Sequence, residues 1–369
     1  MQQQPKFKSL HEDQFIKTLR LRVGDYIKTQ KFGTFANTEM ILKTIFCLSL
    51  WIGSYLLLIL GDFSLSISYL LWAILGISIP LVAMNVGHDA IHGSYSNKKW
   101  VNHFLGHTFN LNGASAYMWN KMHNVAHHTY TNIHGMDEDI ESVPILRLSP
   151  GTPWKKIHRY QHWYSFLFYG LATISWALIK DYVKFFKNEV GNYNAKPHPK
   201  KEYFYLFFYK FINYTLFIII PFTVLPFAWY HILAGFLMMH FIAGFYLAMV
   251  FMLAHVVEET HFPVPDIKDG SLENSWAIHQ LYTTADFAGK SWLAGFLTGG
   301  LNLQVEHHLF PNICSIHYRK IAKIVSETAN EYQLPYFSSP TFGEAVQSHV
   351  RFLKKIGSQA TYEPIPIKL

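Results

Sequence analysis

The chain has 369 residues, 50% of them hydrophobic, 17% aromatic and only 15% charged, with a net charge of +7. A soluble domain carries about 25% charged residues, so lipid is part of this chain's solvent. The basic residues form no dense run, which argues against nucleic acid. Anionic lipid headgroups, or the phosphates of an acyl carrier, are what the positive charge fits.

About 20 apolar helical residues cross a bilayer core of about 30 Å. Residues 1–38 read as a cytoplasmic N-terminal segment with seven Lys or Arg and no apolar signal-peptide core. Ile41–Leu60 is the first predicted span, and Lys43 near its start is placed to snorkel. Phe63–Val86 is the second, free of charge, with Pro80 placed to kink it. A minimal turn at Gly61-Asp62 joins the two. Val101–Met118 and Trp163–Ile179 are too short or too polar to cross easily; they are predicted to lie in the interface, or in the latter case to re-enter. Phe211–Ala254 has 44 residues without Asp, Glu, Lys or Arg. It divides into two spans, 211–229 and 232–254, around Pro226 and the interfacial Trp229-Tyr230. Trp292–Val305 is a third interfacial segment, and 336–369 reads as a cytoplasmic tail.

The predicted fold is an all-α integral membrane protein. Four transmembrane helices form two hairpins within a membrane domain of residues 39–335, and a cytoplasmic helical cap holds a di-metal site. Both hairpins begin and end on one side. The positive-inside rule puts that side, and with it both termini, in the cytoplasm.

Three short clusters dominate the chemistry: HDAIH with His88 and His92, HNVAHH with His123, His127 and His128, and QVEHH with His307 and His308. Each adjoins an apolar segment on the same predicted side. Residues i and i+4 of a helix share a face, about 6 Å apart along the axis. His88 and His92 thus present two imidazoles to one centre. His123 and His127 share a face while His128 points about 100° away, so the second cluster is suited to two metals. The spacing alone is weak, because His103/His107 and His158/His162 repeat it. Adjacent His-His pairs inside longer clusters, in two places, are the stronger signal. His103, His107, His158, His162, His240, His261 and His279 are set aside as non-ligands.

The two cysteines, Cys47 and Cys314, offer neither a disulfide framework nor a thiolate metal site. Seven imidazoles exceed one zinc. Imidazole accepts iron, copper, nickel and zinc, so the chemistry must arbitrate. A site at the hydrophobic boundary suits an acyl chain, and attack on its unactivated C–H bonds needs an oxidant such as two irons with dioxygen.

Four blocks resemble the membrane-bound fatty acid desaturase family: GHDAIHGSYS (87–96), HNVAHHTYTNIHGMDEDIE (123–141), AHVVEETHFP (254–263) and GGLNLQVEHHLFPNICSIHYRKIA (299–322). The resemblance covers roughly residues 35–335. Gln304, where many relatives have histidine, resembles the front-end and linoleoyl-CoA-type branch, which works between an existing double bond and the carboxyl end. The resemblance implies a non-haem di-iron centre with His88, His92, His123, His127, His128, His307 and His308 as ligands. It adds His255, which also follows the fourth span directly, and Gln304 as a further candidate, through oxygen, through water, or merely packing. Phe251 stands where the stearoyl-type pattern has Asn. The resemblance further implies dioxygen as co-substrate, a fatty acyl-CoA or acyl-lipid substrate, surrounding membrane lipids, and a separate electron donor of ferredoxin or cytochrome b5 type. The haem motif of a fused cytochrome b5 domain is absent.

Trp276, Gln280 and Thr283, in WAIHQLYTTADF, are candidate substrate-tunnel residues. The acidic run Asp137-Glu138-Asp139 reads as solvated. Carboxylates that accept the second ring N–H of a ligand histidine are sought in Glu306, Glu258, Glu259 and Asp286. Lys121 and Arg147 are candidate headgroup contacts. Two rival functions share parts of the pattern: a hydroxylase of the same architecture, and a membrane metal transporter or sensor, which would carry its ligands near mid-span.

Overall fold

A computed structural model describes residues 5–7, 14–141, 143–191, 193–194, 196–266 and 268–358. Four helices are long and apolar enough to cross a membrane: Thr38–Leu60, Leu65–Ile91, Lys200–Val224 and Trp229–His255. We call these the first to fourth spans. Helices supply nearly all the regular structure among the described residues, and the three sheets have two short strands each. The protein is a mostly helical membrane protein.

Asn37 caps the first span by accepting the N–H of Met40, one of the donors a helix start leaves unpaired. Lipid tails give no hydrophobic drive for helices to associate, so close packing of small residues does that work. The second and fourth spans show it. A Cβ on Gly76 would meet the Met239 carbonyl oxygen at 2.7 Å, and one on Gly235 would press into the Trp72 indole at 2.3 Å. The first and third spans turn more of their surface outward, exposing Leu42, Ile45, Phe204 and Phe211.

Two boundaries differ from the sequence reading. The third span starts at Lys200 and ends at Val224, where 211–229 was expected; Trp229 already belongs to the fourth. The reason is Lys210. Its charge marks a boundary in the sequence, yet the side chain is buried, 2.9 Å from Asp181, and donates to the carbonyls of Gly113, Trp176 and Ala177. A buried charge persists when it is paired and fully hydrogen-bonded. The second difference is at the C-terminus. Helix Phe342–Ser358, expected within a tail, buries Phe352, Leu353 and Ile356 in a cluster with Tyr169, Met249 and Val256.

The three segments expected at the interface are helical and leave apolar side chains exposed. Lys99–Leu111 exposes Trp100 and Phe104. The stretch from Gln161–Tyr169 through Asp181–Phe186 exposes Trp163, Leu167, Leu171 and Ile179. Trp292–Leu297 has no buried residue. The π-helical turns Ala83–Gly87 and Asn120–His127 lead into the first histidine cluster and carry the second. Such turns re-aim the side chains that follow them.

Candidate metal centre

The eight expected histidines converge. His88, His92, His123 and His307 each offer a ring nitrogen, and these atoms all lie within 4.8 Å of one another. His127, His255 and His308 form a second such set. His128 stands between them, its ring 4.6 Å from that of His307 and 4.4 Å from that of His308. All but His92 are buried.

The π-helical turn also sets the place of His128. The N–H of His128 bonds the carbonyl of His123, a five-residue step that brings their Nε2 atoms to 3.2 Å. His123 and His127 share a face as expected, their rings stacked 5.0 Å apart, and with Asp139 they form a third such set.

The outer nitrogens explain the aim of the inner ones. Nδ1 of His88 lies 3.2 Å from Asp89, that of His123 2.8 Å from Asp139, and that of His127 2.9 Å from Asp137. His308 Nδ1 donates to Gln280 Oε1 at 2.8 Å, and His255 Nδ1 to the Thr283 carbonyl at 3.2 Å. His307 Nδ1 lies 3.3 Å from the Tyr318 hydroxyl. A hydrogen bond at one ring nitrogen fixes the tautomer and turns the other toward a metal. The Nε2 atoms of His88, His92, His127, His255 and His308 are buried without a partner among the described residues. Such orphaned polar atoms are costly, and metal ions between them remove the cost. The residues therefore fit a metal site.

Electrostatics agree. Burial lowers His123 to about 4, against the pull of Asp139. Burial and neighbouring imidazoles hold His92, His128, His307 and His308 well below the usual histidine range. A site that keeps imidazoles neutral keeps them ready to ligate. Burial lowers His127 as well, but the charge and hydrogen bond of Asp137, with the charge of Asp139, together outweigh it and move it up.

The carboxylates holding the rings are Asp89, Asp137 and Asp139. The run 137–139 is thus not solvated: Asp137 is fully buried and Glu138 pairs with Lys184. The expected candidates serve elsewhere. Glu258 pairs with Arg351 and Glu259 accepts from Ser348. Asp286 and Glu306 share the Tyr336 hydroxyl behind the third cluster. Asp89 could have been suspected from its place beside His88. Asp137 and Asp139 could not, since a left-handed turn at Asn132 (φ 60°) folds them back; the Asn132 N–H donates to Asp137 and its amide to the His255 carbonyl.

Gln304 is buried, and neither polar atom of its amide has a partner among the described residues. Trp276, Gln280 and Thr283 adjoin the histidines. Trp276 Nε1 donates to the His128 carbonyl, Gln280 holds His308, and Thr283 holds His255. Arg147 is buried and donates to the carbonyls of Pro150, Thr152 and Ile356. Lys121 lies over the Tyr117 ring. Of the histidines set aside, His103 meets the His107 ring at a tilt, His240 bonds Thr173, and His279 bonds the Thr131 carbonyl.

An apolar cavity of about 500 Å³ runs to the cluster, reaching His127, Asp139 and His255. A smaller one, about 40 Å³, lies toward Ile79 and Ala83 and reaches His88. Trp119, Thr173, Trp176, Leu247 and Phe251 wall both. A long apolar ligand is thus offered two compartments with the histidines alongside.

The family model of fatty acid desaturases matches residues 64–340. The chain belongs to the fatty acid desaturase family. This desaturase is 34% identical over 342 residues to an sn-1 linoleoyl-lipid 6-desaturase of Arthrospira platensis, covering 93% of this chain and 92% of that one. It is 33% identical over 357 residues to an acyl-lipid (8-3)-desaturase of Physcomitrium patens, covering 95% and 73%. An acyl-lipid (8-3)-desaturase of Mortierella alpina is 31% identical over 353 residues, covering 93% and 78%. These names bear out a front-end-like membrane desaturase, an oxidoreductase of fatty acyl chains.

Proposed function

We propose that this desaturase places a cis double bond in the acyl chain of a membrane lipid, on the carboxyl side of an existing one. Its non-haem di-iron centre is held by His88, His92, His123, His127, His128, His255, His307 and His308, with Gln304 as a further candidate. One observation carries the reading: imidazole nitrogens without partners converge beside an apolar cavity. Bound there, two irons would supply the dioxygen-dependent oxidation that removes two hydrogens from adjacent carbons.

The chain's own residues do the rest. Asp89, Asp137, Asp139 and Gln280 orient the imidazoles. Trp119 and Phe251 press the acyl chain against the cluster, and the apolar walls exclude water. This positioning, more than any acid or base, is the protein's share of the catalysis. The spans form two hairpins within a membrane domain of residues 39–335, with termini and histidines on the cytoplasmic side, where a separate donor of ferredoxin or cytochrome b5 type delivers electrons. Acyl-lipid names among the relatives favour a lipid over a coenzyme A thioester. A transporter would hold ligands at mid-span, but His240, the histidine deep in a span, is bonded to Thr173.

The test is the lipid profile of a host expressing the chain, with double bonds located by mass spectrometry. A new olefin between an existing double bond and the carboxyl group is expected. Hydroxylated chains without a new olefin would overturn the reading.

A further inference from the structure

The larger cavity carries one Lys or Arg, Lys180. Its ammonium lies over the Trp176 indole, 4.8 Å from the ring centroid, and it forms no ion pair among the described residues. The indole N–H of Trp176 is buried and has no partner among them either. This end of the cavity meets the outer surface. Val143 and Leu171 line it and are 55% and 46% exposed, and Ile179, beside Lys180, is 58% exposed. Apolar side chains so exposed on a membrane protein face acyl tails, and a lysine among them marks the level of the headgroups.

The opposite end reaches the histidines. Asp139 lines the cavity, bonds His123 at 2.8 Å, and is close enough to feel the charge of Lys180. Lys180 at the mouth and the histidines at the inner end thus line one cavity. A cation at the mouth and a nearby oxidising centre together act as a ruler read from the carboxyl end.

We propose that Lys180 binds the ester and headgroup oxygens of an intact membrane lipid that enters sideways from the bilayer, and thereby sets the double-bond position from the carboxyl end. The proposal rests on the desaturase reading above. A coenzyme A thioester would present similar oxygens but would arrive from water, so the two sources are separable.

The test compares wild type, Lys180→Arg and Lys180→Ala, each as the full chain in expressing cells and in isolated membranes. Losing one charge-assisted contact should raise the KM for the acyl lipid about tenfold in Lys180→Ala, and its products should carry double bonds at mixed positions. Lys180→Arg should restore both, with bound iron unchanged throughout. Wild-type product position and KM in Lys180→Ala would overturn the proposal. So would loss of iron in that variant, which would assign the lysine to holding Asp139. A clear preference of wild-type membranes for the acyl-CoA form over the acyl lipid would overturn the sideways entry. Absence of any olefin from wild-type cells would instead overturn the desaturase reading itself.

Discussion

The carboxylate of Asp89 accepts both the N–H and the hydroxyl of Ser315, each at 2.9 Å. It thereby ties the first histidine cluster to the turn after the third. The same oxygen takes the Cys314 thiol at 3.2 Å, and its partner oxygen lies 3.2 Å from His88 Nδ1. One buried side chain orients an imidazole and joins two clusters far apart in sequence. Asp89→Asn keeps the shape and removes the charge. Supporting residues of this kind are worth about 10- to 100-fold in metal affinity. Iron per chain, measured after purification at limiting iron, should fall accordingly, and an unchanged iron content would show that the carboxylate is structural only.

The two histidine sets make a paired prediction. His307→Ala removes a nitrogen from one set and His127→Ala from the other. Each should abolish product formation and lower bound iron. His103→Ala, which removes a tilted ring contact with His107 at 4.5 Å, should leave both intact. Retained iron and turnover in the first two variants would dissolve the shared centre.

Cavity volume should decide which acyl chains are accepted. Leu247 lines both compartments, and Leu247→Trp fills the passage between them. One methylene too many in an apolar pocket costs about tenfold or more in specificity, so products from the longest chains should fall by at least that factor relative to the shortest. A uniform loss across chain lengths would point to misfolding instead.

The apolar spans and the converging histidines were legible because both signals are local: apolar runs of bilayer length, and clustered imidazoles. What supports them was not. Asp137 and Asp139 reach His127 and His123 only through the reversal at Asn132, and sequence spacing does not register such a turn. The approach of His128 to His123 depends on a π-helical turn that no residue type announces. Lys210 misplaced the third span because a charge in an apolar run reads as an end, whereas Asp181, 29 residues earlier, neutralises it within the fold. Nor does sequence spacing show that Gln280 and the Thr283 carbonyl meet the ring nitrogens of His308 and His255. A Lys210→Met variant makes the point measurable. It leaves Asp181 buried and unpaired, which costs about 3–5 kcal/mol, while Lys210→Met with Asp181→Asn should recover part of that loss in detergent melting experiments.

His349 gives the fold a pH dependence that can be separated from the metal centre. Its Nδ1–H donates to the Val256 carbonyl at 2.6 Å, so Nε2 accepts the Tyr169 hydroxyl at 2.9 Å. The second contact requires the neutral ring, since a protonated Nε2 cannot accept. Burial lowers the imidazole to about 4 from its ordinary 6.5. The unfolded chain therefore takes up a proton near pH 6.5 that the folded chain refuses until about pH 4. The stabilisation is whole above pH 6.5 and is lost as the pH falls toward 4, amounting to about 3 kcal/mol for this group. His349→Gln retains a donor and cannot titrate. In detergent at pH 7.5 it should melt slightly below wild type, and its melting temperature should fall less steeply between pH 6.5 and 4.5. Parallel pH slopes for the two proteins would show that His349 does not carry this part of the acid sensitivity.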